Sequence, residues 1–505
     1  MTRVLLFGTH PKQFNGYSKV VYEILKCMSI DPNYSLTIFG FQNFHENLNH
    51  RKDMPDNVFV YDAFANEIPS TSGGGFGIPQ VREFVQLNKP DILIIYNDMM
   101  VISQVISQLK TIENPTFKIV AYIDQVYLNQ KKEFIDFVNK NADAAIMFTK
   151  SWEECICKQG LSIPTFYMEH GFNKMAYYPI PKNIARQYFG IKPNDFVILN
   201  LNRNQPRKRW DICLKAFAEV VSRHQDDPIK LVIATAVQGA WNLLEIFERE
   251  LKKRDLTLEV GMKHLIILDN PQRITDEETN ILYNIADIGI NTCDGEGFGL
   301  CNFEQAGLGI PQVVPRLGGF LDFFDDDCAM LMDPKMAYYV DNTRDIVCGE
   351  ALLCDYMDFV DAIESYYTNK DLRDKHGLNA RKKILQNYSW ESITKKLTHI
   401  IDTVVPPREN KVVFAGSSVV NKSLMNEVEK IDAALLGKML TAKSSSLPLE
   451  EPVVEENDKA VVKKSKRVKK NRKPSNALKK KLAKLLAAID DSDDSDDSDD
   501  SKDSD

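Results

Sequence analysis

Two glutamates eight positions apart, Glu296 and Glu304, stand in the segment 294-DGEGFGLCNFE-304. Glu296 lies in a glycine-rich turn after an apolar run, and Glu304 lies on the helix predicted to follow. A carboxylate accepts hydrogen bonds from pairs of hydroxyls. Backbone N–H groups at a glycine turn and helix N-terminus suit a phosphate, because the dipole and the unbonded donors point at it. Gly297 and Gly299 let the backbone approach a ligand closely, and Phe298 between them shapes the pocket. The chemistry this could support is the joint holding of a sugar, a ribose and a diphosphate. The plain alternative is a strand, turn and helix with surface glutamates.

A diphosphate also needs cations. Arg203 and Lys208 follow the apolar run 196–201, where a phosphate clamp belongs. Arg207 and Arg209 are basic too, so a solvated turn is the competing reading. Gly16, in 13-QFNGYSKVVYEIL-25, falls between the first predicted strand and the first predicted helix. No G-x-G-x-x-G pattern occurs there, so a dinucleotide fingerprint is not supported. Asp325-Asp326-Asp327 contains the D-x-D spacing of some metal-dependent enzymes, but it reads better as a solvated turn. Gly73–Gly77 reads as a flexible loop. No residues are assigned to a metal.

The elements that must position these groups alternate in the βαβ rhythm of a doubly wound sheet. Apolar runs at 3–9, 35–41, 91–96, 118–123 and 144–149 lack polar alternation, as suits parallel strands buried on both faces. Helical stretches lie between them, among them 17–28, 98–110 and 131–140. The rhythm restarts after 181–195, whose prolines and polar residues read as a linker. Strands are then predicted at 196–201, 229–235, 264–268, 287–292 and 312–315, with one or two closing helices over 371–405. Two Rossmann-like α/β domains in series are the simplest account, with ligands at the carboxyl ends of the strands and in the cleft between domains.

Composition agrees. A chain of 505 residues, 44% hydrophobic, can bury two or three cores. The nine cysteines are scattered and contain no C-x-x-C pair, which points to reduced thiols rather than a disulfide framework or zinc site. No window approaches the ~20 continuous apolar residues of a membrane span, and the first residues are too weakly apolar for a signal peptide. A soluble cytoplasmic protein is expected.

The segment 294-DGEGFGLCNFEQAGLGIPQVV-314 resembles the E-x7-E signature of retaining family-four glycosyltransferases (glycosyl transferases group 1), which have the GT-B fold. The resemblance extends to Gly318-Gly319 with Asp322, to 200-NLNRNQPRKRWDICLKAF-217 and to Tyr388-Ser-Trp390-Glu391. It implies that Glu296 lies beside the transferred sugar and that Glu304 binds the ribose. Backbone around Phe298, Gly299 and Leu300 would contact sugar and phosphate, Arg203 and Lys208 would grip the diphosphate, and the Gly16 loop would face the donor. The implied reaction is a hexosyl transfer from a nucleotide diphosphate sugar to an acceptor hydroxyl with retention, without a further cofactor. The acceptor, whether glycan, protein or lipid, is not specified.

There are departures. Many members carry a first-domain His after the strand matching 118–123; here Asp124 is the candidate polar substitute. His170 stands where the family usually has an Asn-Gly pair, and is either a sugar contact or a packed residue. Cys301 and Asn302 replace the usual Pro and apolar residue.

The expected organisation is an acceptor domain over 1–180, a linker over 181–195, a nucleotide-sugar domain over 196–385, a closing helix over 386–405 and a tail over 406–505. The tail is expected to be largely disordered. Residues 463–484 hold twelve Lys or Arg and no acid, and 490–505 is an Asp/Ser repeat. The basic stretch 463–489 could contact a membrane surface or nucleic acid. The alternative function is thus a non-catalytic GT-B scaffold acting as an adaptor through its tail. Tails of this composition are similar to those of glycosyltransferases of large DNA viruses, which would place the protein in the host cytoplasm or the virion.

Overall fold

Among the described residues fifteen strands, labelled β1 to β15 in chain order, carry the architecture. In the first domain they are β1 (Thr2–Thr9), β2 (Tyr34–Phe41), β3 (Val58–Asp62), β4 (Ile92–Asn97), β5 (Lys118–Ile123), β6 (Ala144–Met147) and β7 (Thr165–Tyr167). They form one parallel sheet in the order β3-β2-β1-β4-β5-β6-β7. The second domain has β8 (Phe196–Asn200), β9 (Ile229–Ala234), β10 (Leu265–Leu268), β11 (Ile288–Ile290), β12 (Gln312–Pro315) and β13 (Ala329–Met332), ordered β10-β9-β8-β11-β12-β13. A hairpin of β14 (Met336–Val340) and β15 (Gly349–Leu353) completes the set. This is the structure of a computed structural model that describes residues 1–44, 51–66, 74–113, 115–268 and 274–405. The tail expectations over 406–505, including the basic stretch and the acidic repeat, and Gly73 lie outside the described residues.

The central strands are buried on both faces. Every residue of β4 is buried, and so is every residue of β8. Continuous apolar sequence is the only solution for such positions, since helices cover both sides of the sheet. The helices that flank the sheets start on well-defined caps. Asn15 accepts from the Ser18 amide at 2.8 Å and opens the helix Gly16–Met28 through a capping box. Asp98 accepts from the Val101 amide at 2.9 Å and opens Met99–Leu109.

Strand order reverses between β1 and β4 in the first sheet and between β8 and β11 in the second. At such a point the following connections diverge to opposite faces and leave a crevice beyond the strand ends. The loops issuing there are 10–15, 97–98, 201–209 and 291–299. They contain Gln13, Asp98, Arg203, Lys208 and Glu296.

The expected linker is more structured than its composition suggests. It contains the helix Lys182–Phe189, which belongs to the second domain. Arg186 is buried and bonds Asp287 at 2.6 Å and the Ile285 carbonyl at 3.1 Å. The helix is only eight residues long and is framed by Pro181 and Pro193, so its sequence resembles a connection.

The closing segment forms two helices in sequence, Lys370–Asn387 and Trp390–Val404. The second crosses back to the first domain. Phe172 N–H donates to the Tyr388 carbonyl at 2.7 Å, Tyr34 Oη donates to Asp402 at 2.9 Å, and Lys396 pairs with Glu169 at 2.6 Å. A Cβ on Gly171 would lie 2.5 Å from the Trp390 ring and 2.8 Å from its Cα. Gly171→Ala should therefore push the helix off its seat and destabilise the fold by about 1–3 kcal/mol. Thermal unfolding followed by circular dichroism checks this: the midpoint should fall by several degrees, and an unchanged midpoint would refute the close packing.

Candidate active site

The turn 206–209 and the segment 291–296 are tied together by their backbones. The Asp294 amide donates to the Arg207 carbonyl at 3.0 Å, and Thr292 Oγ1 donates to the Arg209 carbonyl at 2.9 Å. Arg209 sits at φ 46°, in the left-handed region, which turns the chain sharply into the helix Trp210–Arg223. Two segments 85 or so residues apart are thereby fixed as one wall.

That wall carries Glu296, which is 5% exposed. Lys208 Nζ and Arg207 Nη1 both pair with its carboxylate, the latter at 3.2 Å, and Asn291 Nδ2 approaches at 3.4 Å. Burial alone would raise the carboxyl pKa, but Lys208 and Arg207 outweigh it and hold it at about 2. Glu296 is therefore ionised at neutral pH. The 206–209 turn is not the solvated one its basic composition allowed: the Lys208 side chain is 8% exposed and those of Arg207 and Arg209 are 18% and 16% exposed. Arg203 differs. It is exposed, lines the cleft, and makes no side-chain ion pair among the described residues.

After Glu296 the chain turns at Gly297 and Gly299. Gly299 has φ 89° and a Cβ there would collide with the Phe320 ring, so only glycine fits. It also opens the helix Leu300–Gly307 without any side-chain cap. The first amides of that helix face a site with no built-in acceptor side chain, an arrangement suited to an anion. Asn302, a departure from the family pattern, is accommodated because it is hydrogen-bonded on both sides, to Asn291 at 3.0 Å and Gln312 at 2.8 Å.

Glu304 points elsewhere. It borders a narrow side pocket beside the main cleft. Tyr283 Oη donates to it at 2.6 Å, and Lys19, from the first domain, pairs with it at 3.1 Å. Burial raises its pKa despite Lys19 and the Tyr283 hydrogen bond. The ribose role expected for Glu304 thus falls on a carboxylate already held by a first-domain lysine.

The first domain supplies the facing wall. A Cβ on Gly16 would lie 3.4 Å from Leu300, so the glycine loop does stand against the start of the second-domain helix. Asp124 accepts from Tyr17 Oη and packs against Gly297. Burial raises its pKa, with the Tyr17 hydrogen bond and Arg207 opposing. His170 is packed between Phe298, with ring centroids 4.4 Å apart, and Phe148, at 4.7 Å. Burial pushes its pKa down to about 3, so it is neutral and serves as an aromatic floor. Trp152 Nε1 donates to the Gly297 carbonyl at 2.8 Å and locks the turn from the first-domain side.

Gly16, Asp124, His170, Arg203, Lys208, Glu296, Phe298, Gly299 and Leu300 all line one cavity of about 630 Å³. Only Glu304 of the expected set lies off it. Among the described residues no cluster of three or more His, Cys, Asp or Glu could hold a metal ion. Asp325 and Asp326 are engaged instead by Lys383 at 2.9 Å and Arg316 at 2.6 Å. Sequence reasoning missed Arg207, Tyr17 and Lys19. Their signal was proximity to Lys208 and Gly16, and it was too general to separate them from solvated neighbours.

The Glu296 shift has a pH consequence. Its folded-state pKa lies below the ordinary 4.5. Glu296 therefore contributes stability above pH 4.5 that is lost as pH falls through about 2, on the order of 3 kcal/mol in full. In urea titrations the stability gap between wild type and Glu296→Gln should be constant from pH 7 to about pH 5 and then shrink. A gap independent of pH would contradict an ionised, paired Glu296.

Residues 181–383 match the family model described as Glycosyl transferases group 1. A D-inositol 3-phosphate glycosyltransferase of Saccharomonospora viridis is 25% identical over 249 residues, which cover 49% of this chain and 51% of that protein. The chain spans about a third to a half of the length of the curated relatives it matches. Sucrose-phosphate synthase from Thermosynechococcus elongatus superposes with a TM-score of 0.61 at 14% identity, covering 80% of this chain and 99% of that one. Anabaena HepE in complex with UDP-glucose superposes with a TM-score of 0.58 at 14% identity, covering 80% and 100%. At these identities the likeness speaks to the fold, two facing Rossmann-like domains of the GT-B kind. Over residues 181–383 in sequence, and in its two-domain fold, this chain is similar to the glycosyl transferases group 1 family.

Proposed function

We propose that the protein transfers a sugar from a nucleotide diphosphate sugar to an acceptor hydroxyl, with retention at the anomeric carbon. The observation that carries this reading is the ionised Glu296 with Lys208 and Arg207, set beside an uncapped helix N-terminus. The cavity of about 630 Å³ lies within the ~300–1,000 Å³ of sites for drug-sized ligands. The structurally similar HepE, seen with UDP-glucose, supports a donor of this class.

In this account the diphosphate lies over the first turn of Leu300–Gly307, with Arg203 and Lys208 neutralising it. Lys208 then shares its charge between Glu296 and the phosphate. Glu296, fixed by Arg207, accepts hydrogen bonds from the sugar. Ribose hydroxyls compete with Lys19 for Glu304. The bond from the anomeric carbon to the β-phosphate oxygen breaks, and its electron pair leaves with the nucleotide diphosphate. The acceptor oxygen bonds to the same face of that carbon and passes its proton to the departing phosphate oxygen. Cations aimed at the charge that develops on the leaving group lower the barrier. The diphosphate is met by side chains, so we expect turnover to survive chelation of divalent ions.

Hydrolysis and transfer should be measured with UDP-, GDP- and ADP-sugars. Glu296→Gln should lower kcat by roughly 10²–10³-fold, the scale of losing one transition-state contact, with the circular dichroism spectrum preserved. An unchanged kcat would remove Glu296 from the reaction.

A further inference from the structure

A second cavity, of about 220 Å³, adjoins the main one. The two share Tyr17, Asp124, Arg203, Gln205 and Arg207 as walls. Its far side is closed by Asp98, Gln130, Arg344 and Asp345. Arg344 and Asp345 come from the link between β14 and β15, so a second-domain hairpin roofs a pocket at the strand ends of the first domain.

The roof is held firmly. Leu128 and Glu350 exchange backbone hydrogen bonds of 3.1 and 2.6 Å, and Lys131 N–H donates to the Val347 carbonyl at 3.2 Å. Val347, 4% exposed, joins the apolar core of the first domain. On its own side the hairpin is anchored by Arg344, whose Nη2 bonds both oxygens of the fully buried Asp294 carboxylate at 2.5 and 2.6 Å.

Two buried polar atoms on the residues that line the pocket have no partner. They are Oε1 of Gln130, a residue 7% exposed, and Nε of Arg344. Buried polar atoms are nearly always hydrogen-bonded, so these two exceptions, on residues from both domains that line one pocket, mark its polar lining as incompletely satisfied. The lining mixes carboxylates with guanidinium groups. Asp98, Asp124 and Asp345 would receive hydroxyl protons, while Arg203 would donate to hydroxyl oxygens. The three carboxylates are matched by the guanidinium groups of Arg203, Arg207 and Arg344, so the balanced lining favours a neutral polar ligand over an ion. The small volume, below that of drug-sized sites, stands against an extended glycan, a lipid chain or a peptide.

We propose that this pocket takes the acceptor and that the acceptor is a neutral polyol of a single ring, its reactive hydroxyl directed past Asp124 and Arg207 toward Glu296. This inference rests on the transferase reading above, since it assigns the second substrate of that reaction. It makes the β14–β15 hairpin the element that sets acceptor size.

The test uses the full chain with glucose, mannose and myo-inositol as probes, and glucose 6-phosphate and octyl glucoside as the anionic and lipid-like comparisons. Binding is read by saturation-transfer NMR without donor, and acceptor KM and donor Kd are read with the responsive nucleotide sugar. Asp98→Asn keeps an oxygen to cap the helix Met99–Leu109 but removes the charge. We expect at least one neutral polyol to bind, and Asp98→Asn to weaken its binding and raise its KM by about tenfold or more, the scale of a hydrogen bond to a charged group. The donor Kd should move less than about twofold on the same scale. The proposal is overturned if only the phosphate or the alkyl glycoside binds, if no neutral polyol binds, or if Asp98→Asn leaves polyol affinity unchanged. Polyol binding with no nucleotide-sugar response would instead defeat the transferase reading while leaving the pocket's ligand class standing.

Discussion

Glu296 carries its charge where water scarcely reaches, and it can do so because Lys208 and Arg207 face it from a turn 88 residues earlier in the chain. Removing one partner of such a group typically costs 3–5 kcal/mol, because the other is left buried and charged. The pairing therefore fixes more than a carboxylate. It fixes the 206–209 turn against the 291–296 segment, and through them the direction of Gly297–Gly299 and the exposed amides of the helix behind. The turn and helix start that follow in the candidate site inherit their position from this cluster. The buried Asp294 repeats the device one step outward, with Arg209 and Arg344 as its cations.

The two domains are interlocked at several levels. The helix Trp390–Val404 returns to the first domain, the hairpin bridges to Leu128, and Trp152 holds the Gly297 carbonyl. Domains joined by small polar contacts normally move relative to each other. Here the ion pair between Lys19 and Glu304 lies in the side pocket beside the cleft. A ligand that takes Glu304 from Lys19 would alter one of the contacts between the domains, so the proposed donor would couple its occupancy to their spacing through a named pair.

Much of this was legible in the residues. The runs at 3–9, 118–123, 196–201 and 312–315 correspond to β1, β5, β8 and β12 to within a residue or so at each end, because parallel strands buried on both faces must be continuously apolar. β3 was missed because four of its five residues are partly or fully exposed at the sheet edge. The hairpin escaped notice for a related reason: β14 is mostly exposed, with only Val340 buried and Tyr338 half-buried on its packed face. Its docking on Leu128 joins positions more than 200 residues apart, which no local pattern encodes. At the site, the glycines and Glu296 were readable from their turn. Arg207 was not, because a partner in an ion pair is chosen by three-dimensional proximity, and a run of basic residues looks alike whether buried or solvated. The composition of 181–195 misled because its helix is short, framed by prolines, and carries Arg186 on its buried side, held by Asp287.

The central claim is that the cationic wall beside Glu296 receives a diphosphate. A crystal structure of the protein soaked with UDP tests it most directly. The account predicts phosphate oxygens at ~2.7–3.2 Å from Lys208 Nζ, the Arg203 guanidinium and the first amides of Leu300–Gly307, with Lys208 still beside Glu296. Nucleotide bound elsewhere, or diphosphate in the cleft with no contact to Lys208 or Arg203, would contradict it.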